Sequence, residues 1–119
     1  MADALAYLDD IFFQAKITET ARILGVVLQI CASPQALAAE LAANKPHLII
    51  IDLNAHTNPF DAIAIASKEG QGVPLIAFLS HVQTELAERA RAAGCAEVMP
   101  RSKFSRDLAT ILARAKSQS

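Results

Sequence analysis

Five short, mostly apolar runs alternate along this chain with longer segments whose apolar residues recur at helical spacing. The third run is the clearest, because four branched aliphatic residues, Leu48 to Ile51, end abruptly at Asp52. Runs of this length are too short for helices and too uniformly apolar for strands with one face in water. They are therefore predicted to be buried strands of a parallel sheet. Their predicted ranges are 4–8, 26–31, 48–52, 73–79 and 96–99.

The segments between the runs carry helix start and stop signals. Gly25 and Gly94 stop two helical patterns in the position that favours glycine. Ser33-Pro34 and Asn58-Pro59 each place a capping residue before a proline, and Ser102 is predicted to cap the last helix. The apolar residues predicted to face the core are Phe13, Ile17, Ala21, Leu24, Leu37, Leu41, Phe60, Ile63, Ala64, Leu86, Ala90, Ala93, Phe104, Leu108, Ile111, Leu112 and Ala115.

Five strand–helix units in succession predict an α/β fold. Strands that are apolar on both faces need helices on both sides of the sheet, and right-handed crossovers then give a doubly wound arrangement. We expect a flavodoxin-like five-stranded parallel sheet with strand order 2-1-3-4-5. At 119 residues, the chain is expected to form a single domain over 1–119.

Composition narrows the classes of function. The chain is 53% hydrophobic, yet no apolar stretch approaches the ~20 residues of a membrane span. The net charge is −1 with scattered Lys and Arg, so no basic patch for nucleic acid is expected. Cys31 and Cys95 are far apart in apolar surroundings, which favours buried thiols in a reducing compartment. The N-terminus carries early acids and no basic leader, so we expect a cytoplasmic protein without membrane or nucleic-acid partners.

Acidic side chains end two of the predicted strands. Asp9 and Asp10 follow the first run, and Asp52 ends the third. Strands one and three are neighbours in the predicted order, so these carboxylates are expected at one edge of the sheet. They would repel one another unless neutralised, and Mg²⁺ suits such oxygen ligands while keeping waters that a phosphoryl group can replace. Ser80 and Arg101 end strands four and five and could hold the remaining phosphoryl oxygens.

The residues at these strand ends resemble the landmarks of the response-regulator receiver domain. The motifs are Tyr-Leu-Asp-Asp at 7–10, Ile-Ile-Asp-Leu-Asn at 50–54, Phe-Leu-Ser-His at 78–81 and Ala-Gly-Cys-Ala-Glu-Val-Met-Pro-Arg at 93–101. The spacings from Asp52 to Ser80 and from Gly94 to Arg101 are similar to those of typical receivers. The resemblance covers essentially the whole chain.

The resemblance implies a role for each of these residues. Asp52 would be the phosphoacceptor, attacking a phosphoryl group held in line to give an acyl phosphate. Ser80 would bond a phosphoryl oxygen. From its place at the end of strand five, Arg101 is expected to face the phosphate or to form an ion pair with Asp52, which would depress the pKa of Asp52 and shield it from attack. Mg²⁺ would be bound directly by Asp10 and through water by Asp9. The implied metal ligands are Asp9, Asp10, Asp52 and the backbone carbonyl of Asn54.

The resemblance also implies partners. A sensor histidine kinase or a phosphotransfer protein would supply the phosphoryl group. A downstream protein would contact the face formed by the fourth helix, the fifth strand and the fifth helix. The chain would be a monomer or weak dimer, and it would not be an enzyme beyond self-phosphorylation and autodephosphorylation at Asp52.

Three positions depart from the receiver pattern. Arg101 stands where receivers carry a lysine, Val98 occupies the aromatic switch position, and His81 stands where a small residue is usual. Arg keeps the charge, but its planar fork is longer and differently directed. Lys103 is a possible substitute, although on the last helix it is expected to point away from the site. These departures favour an alternative, a phosphorylation-independent pseudo-receiver acting as a protein–protein interaction module. A third alternative, a phosphatase-type hydrolase, normally needs an aspartate where this chain has Asn54.

Overall fold

The computed structural model describes residues 2–80 and 83–116. Strands and helices alternate along the chain, and the final helical region is divided into two short helices. The strands are β1 (Ala4–Tyr7), β2 (Leu28–Cys31), β3 (Leu48–Asp52), β4 (Leu75–Leu79) and β5 (Glu97–Pro100). The helices are α1 (Ile11–Leu24), α2 (Pro34–Ala43), α3 (Pro59–Glu69), α4 (Thr84–Ala93), α5 (Arg101–Arg106) and α6 (Leu108–Ala113).

The strands form one parallel sheet with the order β2-β1-β3-β4-β5, which confirms the predicted doubly wound fold. The register places Tyr7 beside Ile51 and Asp52 beside Phe78. The carboxyl ends of β1, β3 and β4 therefore lie together at one edge, which we call the acidic edge after Asp9, Asp10 and Asp52. The strand boundaries differ from the predicted ones by no more than two residues.

The core consists of two apolar layers, one on each side of the sheet. On one side Ile49 and Ile51 of β3 pack with buried residues of α2, α3 and α4. On the other side Ile50 packs with Phe13 of α1 and Phe104 of α5. Burial of one such side chain contributes roughly 1.5–3 kcal/mol, so a strand that is buried along its whole length anchors the fold.

Some helix ends agree with the prediction. The Ser33 hydroxyl accepts a hydrogen bond from the backbone N–H of Ala36 at 3.1 Å and caps α2, with Pro34 next to it. Gly25 ends α1 in the left-handed conformation, with φ of 73°. Asn58 precedes α3 as predicted, but its φ is 32° and its side chain makes no capping hydrogen bond.

The last helical region corrects the prediction. Ser102 does not cap a helix, because β5 runs to Pro100 and the helix begins directly at Arg101. Asp107 then separates α5 from α6, so the predicted single helix is two. Ala64 and Ala93 were predicted to face the core and are exposed instead. Alanine is a weak guide to the buried face, because its small side chain gains little free energy from burial.

Three further features bear on function. No helix in the described part of the chain has both the length and the apolar character that crossing a bilayer requires. Large apolar side chains are exposed at the start of α1, where Ile11 is 69% and Phe12 85% accessible. Cys31 and Cys95 are buried, as predicted, and burial raises the pKa of each thiol to about 11.

Candidate functional site

Asp52 is the last residue of β3 and only 5% exposed. Among the residues that the structure describes, it is the only buried one with a carboxylate. Its Oδ1 accepts a hydrogen bond from the backbone N–H of Asn54 at 2.8 Å. Burial raises the pKa of Asp52, and the N–H of Asn54 and the nearby charge of Arg101 partly offset this. Asp52 therefore lies at the edge of the sheet that opens to solvent, but in surroundings that disfavour the charged form of its carboxyl group.

Asp9 lies beside Asp52 at the acidic edge and is bound to the loop that follows β3. Its Oδ2 accepts the backbone N–H of His56 at 2.7 Å. The ring nitrogen Nδ1 of His56 lies 3.4 Å from the same oxygen. Asp9 therefore connects the end of β1 to the loop after the predicted phosphoacceptor.

Asp10 has both carboxylate oxygens engaged. Oδ1 caps α1 by accepting the N–H groups of Phe12 at 3.0 Å and Phe13 at 3.1 Å. Oδ2 accepts a hydrogen bond from Nη2 of Arg101 at 2.7 Å. The bond from Arg101, together with the capping bonds, lowers the pKa of Asp10. Asp10 is thus held in its charged form by its neighbours.

Arg101 is the first residue of α5, and its guanidinium is held between a carboxylate and aromatic rings. Its carbon Cζ lies 4.2 Å from the ring centre of Phe13 and 5.9 Å from that of Phe78. The ion pair forms with Asp10 and not with Asp52, so the expected Asp52 pair is wrong as a direct contact. The reason is geometric, because the ring of Phe13, three residues after Asp10, holds the guanidinium over the start of α1. Lys103 is paired with Asp107 and so does not replace Arg101 at the site.

Ser80 and Asn54 are joined by their side chains. Oδ1 of Asn54 accepts the backbone N–H of Ser80 at 2.5 Å and its hydroxyl at 2.9 Å. Nδ2 of Asn54 donates to Oε1 of Gln83, just before α4, at 3.2 Å. The resemblance assigned only the backbone carbonyl of Asn54, so the sequence analysis missed this side chain. Its amide links the loop after β3 to the loop after β4.

Tyr7 was also missed, because a tyrosine within an apolar strand is normally a core residue. Its hydroxyl donates a hydrogen bond to the backbone carbonyl of Thr57. The Thr57 hydroxyl in turn donates to the carbonyl of Ala32 at 3.0 Å. Burial raises the pKa of Tyr7. These bonds attach the loop between β3 and α3 to β1 and to the end of β2, and they position the loop that contains Asn54 and His56.

The donor types at the acidic edge fit a hard cation such as Mg²⁺, since three carboxylates converge there. Their present arrangement is less favourable. Across residues 2–80 and 83–116, no three His, Cys, Asp or Glu side chains are placed to hold one ion. Asp10 is occupied by Arg101 and by the helix cap. In this arrangement Asp10 is therefore not free to bind an ion.

The predicted switch region lies beyond Ser80. Val98 is partly buried and borders a cavity of about 120 Å³ between β4, α4 and β5. His81, which stands where receivers usually have a small residue, lies outside the described residues. The other lining residues of this cavity are Leu79, Gln83, Ala87, Arg91, Met99 and Pro100.

Comparison with known proteins gives structural matches. No family model and no curated protein matches the sequence. The receiver domain of NtrX from Brucella abortus matches with a TM-score of 0.81 at 16% identity, covering 98% of this chain and 100% of that one. The chemotaxis protein CheY4 of Vibrio cholerae matches with a TM-score of 0.81 at 18% identity, covering 98% and 99%. A Burkholderia pseudomallei response regulator with a phosphorylated aspartic acid, calcium ion and citrate has a TM-score of 0.82 at 13% identity, covering 94% and 66%.

Proposed function

We propose that this chain, which has the fold of response-regulator receiver domains, accepts a phosphoryl group on Asp52 in a phosphorelay. The observation that carries the proposal is the buried carboxylate of Asp52 at the acidic edge, flanked by Asp9, Asp10 and a cation. The structure of the similar Burkholderia protein contains a phosphorylated aspartic acid and a calcium ion, which supports a divalent ion and an acyl phosphate here. A cytoplasmic location would accompany this role.

The chemistry follows from the position of Asp52. The backbone N–H of Asn54 orients Oδ1 of Asp52, which leaves Oδ2 of Asp52 as the oxygen that attacks phosphorus. An O–P bond forms while the bond between phosphorus and the donor's leaving atom breaks, and the leaving group departs with its electron pair. Mg²⁺ held by Asp9, Asp10, Asp52 and the carbonyl of Asn54 would neutralise charge on the phosphoryl oxygens. Arg101 would serve the same oxygens from the other side once released from Asp10.

The phosphoryl donor would be a sensor histidine kinase or a phosphotransfer protein. Ile11 and Phe12 are exposed next to Asp10, so they offer an apolar contact close to the reacting carboxylate. Such a contact would orient the donor protein while leaving the acidic edge open to the phosphoryl group.

The output would pass through Ser80. Its hydroxyl is now bonded to Asn54, which also holds Gln83 before α4. A phosphoryl oxygen on Asp52 competes for that hydroxyl, and loss of the Asn54 bond would free the start of α4. We therefore propose that phosphorylation changes the α4, β5 and α5 face for a downstream protein.

The test is covalent modification. We expect a small-molecule phosphodonor with Mg²⁺ to add one phosphoryl group, detected by intact-protein mass spectrometry, and Asp52→Asn to abolish it. Asp61→Asn, which removes an exposed aspartate, is the matched control and should be modified like the wild type. An unmodified wild type, or an Asp52→Asn variant that is still modified, would contradict the proposal.

A second function is favoured by two observations. Arg101 is bonded to Asp10, and Val98 has no ring to turn into the cavity beside it. Both suit a pseudo-receiver that binds its partner whatever the state of Asp52. In that case partner binding, measured by calorimetry, would be the same for the wild type, for Asp52→Asn and after treatment with a phosphodonor.

A further inference from the structure

Arg101 is held at the acidic edge by the carboxylate of Asp10 and the ring of Phe13, and we call this binding position the seat. Its guanidinium bonds the Asp10 carboxylate at 2.7 Å and stacks over the ring of Phe13 at 4.2 Å. A planar guanidinium suits this position, because it can donate a hydrogen bond in its plane while its face lies over the ring. The side chain is only 31% exposed, so these contacts largely enclose it. The seat therefore holds the guanidinium by two contacts of different kinds.

The seat is supported by the core beneath it. The Phe13 ring packs edge-on against Phe78 with centroids 5.3 Å apart and lies 5.9 Å from the Phe104 ring. Phe78 and Phe104 are stacked at 4.5 Å. Phe13 is 8% exposed and the other two rings are fully buried. The ring under Arg101 is thus held in place by the apolar layer on that side of the sheet.

A divalent ion at Asp10 would have to share the carboxylate with Arg101 and with the start of α1. One oxygen is committed to the N–H groups at the start of α1, and the other to the guanidinium. A divalent ion at the free side of that second oxygen would lie next to a resident positive charge in a partly enclosed place. The two cations would repel each other and compete for the same carboxylate oxygen.

We infer that Arg101, seated on Phe13, is an internal cation that competes with divalent ions for Asp10. The inference rests on the proposed function and adds a role for Phe13, which acts as a positioning residue through Arg101. Because one carboxylate serves two cations, binding of an ion releases the guanidinium, and the guanidinium becomes available to the oxygens of a phosphoryl group on Asp52. The arginine that departs from the usual lysine thus sets how readily the acidic edge takes a metal.

The test is a Mg²⁺ titration of the intact chain followed by amide NMR. Arg101→Gln should lower the apparent Kd by about fivefold, which corresponds to about 1 kcal/mol. Phe13→Leu keeps every charge and most of the apolar volume, and it should lower the Kd by about twofold because the seat is lost. Arg106→Gln is the matched charge control, since Arg106 lies in the same helix and contacts Asp107 instead. It should leave the Kd unchanged.

A second readout follows Arg101 itself. In the wild type, the protons of the Arg101 side chain lie over the Phe13 ring and should be shifted upfield by it. Saturating Mg²⁺ should remove that shift, and Phe13→Leu should remove it without metal.

The outcomes separate the two proposals. Equal Kd values for the wild type and Arg101→Gln, or an equal change in Arg106→Gln, would overturn the internal cation and leave the proposed function standing. An unchanged Kd in a folded Phe13→Leu variant would overturn the role of the ring. Absence of saturable binding in every variant would overturn the metal-dependent function and the inference with it.

Discussion

Asp10 and Asp52 are both carboxylates at the acidic edge, yet their surroundings act on them in opposite directions. Asp10 receives hydrogen bonds from Arg101 and from the start of α1, which lower its pKa. Asp52 is desolvated at the end of a buried strand, which raises its pKa despite the N–H of Asn54. Asp10 is thus stabilised as an anion by its hydrogen bonds, whereas the predicted phosphoacceptor Asp52 is an anion at a cost to folding.

That cost predicts how stability depends on pH. The raised pKa means that the folded chain binds the Asp52 proton more tightly than the unfolded chain does. Below about pH 4, Asp52 is protonated in both the folded and the unfolded chain, and its contribution to stability is fully present. This contribution is lost as the pH rises through the pKa that Asp52 has in the folded chain. Asp52→Asn removes the charge, so at pH 7 it should raise the free energy of unfolding by roughly 1 kcal/mol.

Urea unfolding at several pH values checks this expectation. The advantage of Asp52→Asn should shrink as the pH is lowered toward 4. An Asp52→Asn variant that is less stable than the wild type at pH 7, or a difference that is independent of pH, would contradict it.

The positions of the site residues could largely be predicted from the sequence, whereas some of their contacts could not, for physical reasons. Asp9, Asp10 and Asp52 are at one edge because neighbouring parallel strands end there, and the apolar runs reveal the strands. The choice of Asp10 over Asp52 by Arg101 depends on side-chain reach and on the ring of Phe13. A linear sequence does not encode such a choice among nearby carboxylates.

Among the elements, α1 begins at the site itself, since its cap is Asp10. The cap and the ion pair can be separated by substitution. Asp10→Asn keeps a side-chain oxygen for the N–H groups of Phe12 and Phe13 but loses the charge, and Asp10→Ala loses both. We expect Asp10→Ala to have a free energy of unfolding about 1 kcal/mol below that of Asp10→Asn, which is the usual contribution of a cap.

The measurement is chemical denaturation of both variants at neutral pH and moderate salt. Ser33→Ala at the cap of α2 is the control, because it removes a cap that lies outside the acidic edge. Equal stability of the two Asp10 variants alongside a destabilised Ser33→Ala would show that the cap of α1 contributes nothing.

The helices also show where a sequence pattern stops being informative. Ser33 predicted the start of α2 because the cap and the following proline act locally. The break at Asp107 was not predictable, because Phe104, Leu108 and Ile111 keep helical spacing across it and all three are buried. Hydrophobic spacing records which side faces the core, and it persists through a short interruption of the backbone.

In the whole molecule, the sheet separates two apolar layers, and both cysteines lie in the layer with α2, α3 and α4. Cys31 is 1% and Cys95 5% exposed, and burial raises the pKa of each thiol to about 11. At neutral pH few thiolates form, and reagent access requires opening of the layer. We expect both thiols to react with a disulfide reagent far more slowly in native buffer than in urea, and at similar rates.

Time-resolved labelling with single-cysteine variants, Cys31→Ala and Cys95→Ala, checks this. Similar protection of the two remaining thiols would indicate that the layer opens as a unit. Rapid labelling of either thiol in native buffer would contradict the expected burial.

The topology was the most predictable property at this scale. Five apolar runs with helices between them leave few arrangements once crossovers are right-handed, and the observed strand order is the expected one. The exposed and buried faces of alanine-rich helices were less predictable, as Ala64 and Ala93 show, since the difference between the two faces is small in free energy.

The exposed ring of Phe12 offers an optical handle on this molecule. The sequence contains no tryptophan, so Phe12→Trp would give the protein a single indole emitter. Phe12 is 85% exposed, and its backbone N–H is bonded to Asp10, so the emitter would stand at the acidic edge without entering the core. Its emission wavelength and quenching would then report binding or modification at Asp10 and Asp52 in real time, in a protein whose own fluorescence is otherwise very weak.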